Sequence, residues 1–138
     1  MKPGNRKYKI NIERLQEVFQ KYQEIEAVYL FGSMATGRMH HESDLDLAIL
    51  SYDQNIRNKK LDILEDLVQY DFCDVDIIFI DESDTVMAYE AVRLNNVIYC
   101  RDDFDKGEIY SKIIRKYLDL YPYLKVQRLA YKKRVLNG

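Results

Sequence analysis

The hydrophobic positions along this chain change period several times, and each change marks an element. Ile12, Leu15, Phe19 and Tyr22 recur at helical spacing, with Asn11 placed to cap the first turn. The polar run from Lys21 to Glu26 closes that helix. Ala27 to Phe31 is short, apolar and bounded by Gly32, which predicts a first strand. Asp44 to Leu50 predicts a second, with Leu45, Leu47 and Ile49 on one face and Asp44, Asp46 and Ala48 on the other. Asp53 is placed to cap a helix over residues 54–70, with an apolar stripe of Ile56, Leu61, Leu64, Leu67 and Val68. Asp74 to Asp81 predicts a third strand. Ser83 is placed to cap a helix over 84–94, with Val86, Met87, Ala91 and Leu94 inward. Asn95-Asn96 is a turn signal before a short strand, Val97 to Cys100. Phe104, Ile109, Ile113, Tyr117 and Tyr121 pattern a last helix, expected to stop at Pro122.

This order, α-β-β-α-β-α-β-α, with helices on one side, points to an α+β or α/β (two-layer) sheet domain. One domain is expected over residues 1–122, beginning with a loose basic end at 1–9. The stretch 123–138 follows as a basic tail suited to binding a partner, with five basic residues and no acid between Lys125 and Arg134. Neither repeats nor low-complexity segments interrupt the pattern.

Composition narrows the classes. With 47% hydrophobic and 32% charged residues, the chain is that of an ordinary globular protein rather than a disordered one. A net charge of −2 argues against direct nucleic-acid binding as its main task. No apolar run approaches the ~20 residues that span a bilayer, and the basic N-terminus lacks the apolar core of a secretory signal. Cys73 and Cys100 stand apart, as free thiols in a reducing cytoplasm would.

The chemistry concentrates between Ala27 and Leu50. Asp44 and Asp46 fall on one face of a strand, where paired carboxylates are costly without a compensating charge. Divalent cations, which take oxygen ligands, are the natural compensators. Ten residues earlier, Gly32-Ser33 ends a strand with backbone N–H groups and a hydroxyl that suit a phosphate. Arg38, in the loop between, can neutralise a phosphate. His40 and His41 are adjacent on that loop, so their side chains diverge, and they are not expected to ligate. A third carboxylate should come from a neighbouring strand. Asp76, set among Val75, Ile77 and Ile78, is the better choice, and Asp74 the reserve.

Gly32-Ser33, ten residues, Asp44-x-Asp46, and Asp76 after a helix together resemble the nucleotidyltransferase superfamily related to DNA polymerase beta. The small size is similar to its minimal nucleotidyltransferases (MNT), the antitoxins paired with HEPN-domain toxins in prokaryotes. The likeness runs from the first helix through Tyr89-Glu90-Ala91-Val92-Arg93 to Val97-Ile98-Tyr99. It implies the palm-like mixed sheet of that superfamily. Asp44 and Asp46 would bind two Mg2+, with Asp76 completing one site and helping to deprotonate the acceptor. Gly32 and Ser33 would hold the β- and γ-phosphates of ATP. Some relatives have lost a carboxylate; this sequence keeps all three.

The resemblance also implies a partner. A chain this short has little room for an acceptor-binding domain, so the acceptor surface is expected on another protein. In MNT antitoxins of type VII-like pairs that protein is a HEPN ribonuclease toxin, silenced by transfer of AMP to a tyrosine near its catalytic motif. Two readings remain open beside it. A small-molecule nucleotidyltransferase acting on an antibiotic or metabolite would turn over without a partner. An antitoxin acting by binding alone would protect even without its aspartates.

Overall fold

The computed structural model describes residues 11–32, 45–80 and 84–137. Helix α1 (Ile12–Phe19) starts as expected, with the Asn11 side chain accepting from Arg14 N at 3.2 Å. Leu15, Val18 and Phe19 are buried, and Ile12 is not. Strand β1 is Ala27–Phe31 and β2 is Leu45–Leu50. A 3-10 segment, Gln54–Lys59, is capped by Asp53 and leads into α2 (Lys60–Gln69). Then follow β3 (Val75–Phe79), α3 (Thr85–Val92), β4 (Val97–Cys100) and α4 (Lys106–Asn137). The expected loose end over residues 1–9 and the cap at Ser83 lie outside the described residues. Asp84 caps α3, its carboxylate accepting from Met87 N at 3.2 Å. Cys73 and Cys100 are free and exposed.

The sheet runs β3-β2-β1-β4. β1 pairs antiparallel with both β2 and β4, and β2 pairs parallel with β3 through the α2 crossover. Side-chain alternation splits the core in two. Val28, Leu30, Leu47 and Ile49 face α1 and α2, while Ala27, Tyr29, Ala48 and Leu50 face α3 and α4. The mixed sheet flanked by helices that the resemblance implies is present, and only the expectation of helices on one side is corrected: both faces are covered. The two central strands are buried on both sides, which is why they read as near-continuous apolar runs.

Three further expectations change. In α2 the buried stripe is Ile63 and Leu67, continuing Ile56, whereas Leu61 (79% exposed) and Val68 face solvent. Ile56, Ile63 and Leu67 lie seven and four residues apart, which is one face at helical spacing, and Leu61 and Val68 fall off that face. In α3, Ala88, Ala91 and Val92 are inward, and Val86, Met87 and Leu94 are partly exposed. That helix is apolar nearly all round, so spacing alone could not fix its phase; the small alanines mark the side that approaches the sheet. In α4 the helix continues through Pro122 to Asn137. Proline removes one backbone donor and crowds the carbonyl one turn back, at about 3 kcal/mol. Water can satisfy that carbonyl, since the helix is exposed there, and Lys125, Gln127, Arg128, Leu129 and Ala130 are good helix formers.

Two predictions follow from the core. Ile63 is fully buried in the α1–α2 layer, so Ile63→Ala should cost about 2–5 kcal/mol in urea unfolding. Tyr29 is also fully buried, and its hydroxyl has no hydrogen-bond partner. Tyr29→Phe should be neutral or stabilising by about 1 kcal/mol at neutral pH, because a desolvated hydroxyl contributes nothing without a partner. Burial, with smaller contributions from Cys100 and Tyr52, pushes the Tyr29 hydroxyl up to about 12. The folded pKa lies above the unfolded value of about 10, so the folded state is unaffected by this group below pH 10 and loses stability as pH rises from 10 towards 12. Thermal midpoints recorded across that window should fall less for Tyr29→Phe than for the wild type.

Candidate active site

The strand pairing brings two of the expected carboxylates side by side. Asp46 is the Cα partner of Asp76 in the parallel β2–β3 pair and of Phe31 in the antiparallel β1–β2 pair. By alternation, Phe31, Asp46 and Asp76 share the sheet face that carries α3 and α4. They sit at one end of the sheet, where the apolar cover stops. Asp46 is half-buried, and Asp76 is exposed. That exposure corrects the reasoning that selected Asp76 from sequence, since its apolar neighbours do not enclose it. Its position opposite Asp46 is what matters.

Gly32 completes this edge. It follows β1 directly and adopts φ +75°, a left-handed conformation that L side chains rarely take. A Cβ there would lie 2.2 Å from Asp46 Oδ2, so the glycine lets the backbone press against the carboxylate. Only a residue without a side chain fits between β1 and Asp46.

Asp44, Ser33 and Arg38, like His40 and His41, lie outside the described residues. Among the described residues no group of three potential metal ligands comes together; two carboxylates meet here. The donors are nonetheless those of a hard cation. Like charges facing each other on neighbouring strands repel, and a divalent ion held by carboxylate oxygens reverses that repulsion. The residues present fit magnesium.

One contributor to this edge was missed in the sequence. Leu30 N donates to Asn96 O at 2.9 Å, which brings the α3–β4 turn beside the end of β1. In that turn Asn95 has φ 53°, and its side-chain oxygen is buried without a hydrogen-bond partner. Asn-Asn signalled the turn, but nothing in the sequence signalled where the turn would land.

Comparison with known proteins gives a family and a fold. The family described as polymerase beta, nucleotidyltransferase, matches residues 13–104. The protein adenylyltransferase MntA of Shewanella oneidensis is 26% identical over 106 residues, which is 77% of this chain and 73% of MntA. A crystal structure of a toxin–antitoxin with AMP-PNP contains a chain that matches at TM-score 0.68 and 22% identity, over 92% of this chain and 99% of that one. A structure of tri-AMPylated Shewanella oneidensis HEPN toxin in complex with MNT antitoxin gives TM-score 0.61 at 20% identity, over 91% and 96% of the two chains. At these identities the solved structures establish a shared fold. No helix among the described residues is long and apolar enough to cross a membrane.

Proposed function

We propose that this chain, which belongs to the polymerase beta nucleotidyltransferase family, is the antitoxin of a type VII-like toxin–antitoxin pair. In this reading it transfers AMP from ATP to a tyrosine hydroxyl of a HEPN ribonuclease toxin and so silences it. The observation that carries the reading is Asp46 and Asp76 meeting across β2 and β3 while Gly32 abuts the Asp46 carboxylate. Its support among relatives is the adenylyltransferase MntA and the AMPylated HEPN toxin in complex with MNT antitoxin.

Each residue has a role in that transfer. The backbone at Gly32 and the Ser33 hydroxyl hold the β- and γ-phosphates of ATP, and Arg38 supplies a counter-charge. Asp44, Asp46 and Asp76 would hold two Mg2+, which when bound would offset the charge that develops on the attacking and leaving oxygens. Asp76, exposed on the edge strand, is open to an acceptor approaching from outside and takes the proton of the tyrosine hydroxyl on a carboxylate oxygen. The phenolic oxygen forms its bond to the α-phosphorus as the α–β anhydride bond breaks and pyrophosphate leaves. The product is a tyrosine carrying a bulky anion, which excludes RNA from the toxin by sterics and repulsion.

ATP labelled on the α-phosphorus, incubated with this chain and a candidate HEPN-domain partner from the same genome, should transfer label to that protein. ATP labelled on the γ-phosphorus should not. Label on small molecules alone would place the acceptor elsewhere.

A further inference from the structure

We infer that the distal half of α4, from Tyr121 to Asn137, is a docking arm for the acceptor protein, fitted to an apolar groove rimmed by acidic side chains. The inference rests on the transfer reading above and names the surface that serves it.

The arm is built unlike the rest of the chain. Beyond Ile113 no described side chain of α4 is buried, yet the helix remains rich in apolar residues. Val126, Leu129, Tyr131 and Val135 are each 58–65% exposed. A run of exposed apolar side chains on a helix of 32 residues is far more than scattered surface hydrophobes require. Its charge is equally one-sided. Of 21 Lys and Arg residues, five lie between Lys125 and Arg134, and all 23 Asp and Glu residues precede Leu120. The arm therefore carries +5, and the remaining 16 basic residues set against those acids leave the body at −7. An apolar surface interleaved with cations fits a partner groove that is apolar inside and acidic at its rim.

Its direction ties it to the site. Tyr89 of α3 stacks on Tyr117 of α4 at 3.7 Å between ring centroids, and one turn earlier Thr85 and Ala88 lie beside Lys112 and Ile113. The two helices thus run the same way. The turn that ends α3 reaches the Leu30 end of β1 through the Leu30–Asn96 hydrogen bond, which is the end that holds Gly32, Asp46 and Asp76. The helix then continues past Tyr121 for about 24 Å at 1.5 Å per residue. A protein seated on this arm is held at the edge of the molecule where the carboxylates open to solvent. Tethering converts the encounter of an acceptor tyrosine with bound ATP into a local event.

The test uses the full chain and the candidate HEPN-domain partner from the same genome, with affinity read by titration and self-association by sedimentation velocity. Val126→Ser/Leu129→Ser/Tyr131→Ser should weaken binding roughly 30-fold or more. Lys125→Glu/Arg128→Glu/Lys132→Glu should weaken it with a loss of salt dependence. Both variants should keep wild-type AMP-PNP affinity, which shows that the domain is intact. Asp46→Asn should bind the HEPN protein normally and transfer no AMP; if it still transfers AMP, the catalytic reading fails while the docking arm stands. Undiminished HEPN binding by both arm variants overturns the inference. So does a wild-type dimer that the arm variants dissolve, since the occupant would then be a second copy. Tighter binding of the wild-type arm to an RNA oligomer or to phosphatidylserine vesicles overturns it too.

Discussion

Asp46→Asn should lower AMP transfer on the order of 10³-fold while leaving the fold intact. Asp46 lies at the centre of the site, with Phe31 as its partner on one side and Asp76 on the other. Asparagine keeps the shape and removes the charge that, in the proposed reading, would bind a cation and align the triphosphate. The metal response is the second readout. Added Mg2+ should then raise the wild-type midpoint and leave that of the variant unchanged, because a ligand stabilises only the state that binds it. Thermal scans with and without Mg2+ check both parts. A midpoint that rises equally in the two proteins would remove Asp46 from the cation site.

Gly32→Ala should be nearly as damaging by a different route. The added methyl would stand 2.2 Å from Asp46 Oδ2, and the backbone at φ +75° disfavours any L side chain. Left-handed backbone alone costs about 1–2 kcal/mol for alanine. The overlap forces either the strand end or the carboxylate to move, and a displacement of about 1 Å at a reacting centre can cost 10²-fold in rate. Activity is thus expected to fall on the order of 10²-fold, with a lowered thermal midpoint. Gly32→Ala and Asp46→Asn therefore separate by their readouts: the first is expected to lower the thermal midpoint through strain, and the second to abolish its response to Mg2+.

Much of this architecture was legible in the sequence, and the parts that were not share a cause. β1 was read with its observed limits, because Ala27 to Phe31 is apolar and Gly32 breaks it. The Asn11 and Asp53 caps were equally readable, since each places its acceptor where free backbone N–H groups begin. Helix phase was harder. Leu61 and Ile63 are both apolar within α2, and it is the spacing of Ile63 from Ile56 and Leu67, seven and four residues, that puts Ile63 inside. Pro122 was read as a stop because its local cost is large, but a helix already extended on both sides bears that cost.

The site divides in the same way. Asp46 and Gly32 could be singled out from type and spacing, but their contact depends on a left-handed backbone that no spacing reveals. Asp76 was chosen for apolar neighbours that leave it exposed; what qualifies it is the parallel register with Asp46. Register across a crossover is set by the whole sheet, so it belongs to the fold rather than to any stretch of residues. The direction of α4 is hidden for the same reason, although its basic and apolar character was plain.

The most direct measurement is the intact mass of a candidate HEPN-domain partner from the same genome, co-expressed with the wild type or with Asp46→Asn. The account predicts a protein heavier by one or more AMP groups with the wild type, mapped to tyrosine, and an unmodified mass with the variant. Equal masses in the two cases would contradict it.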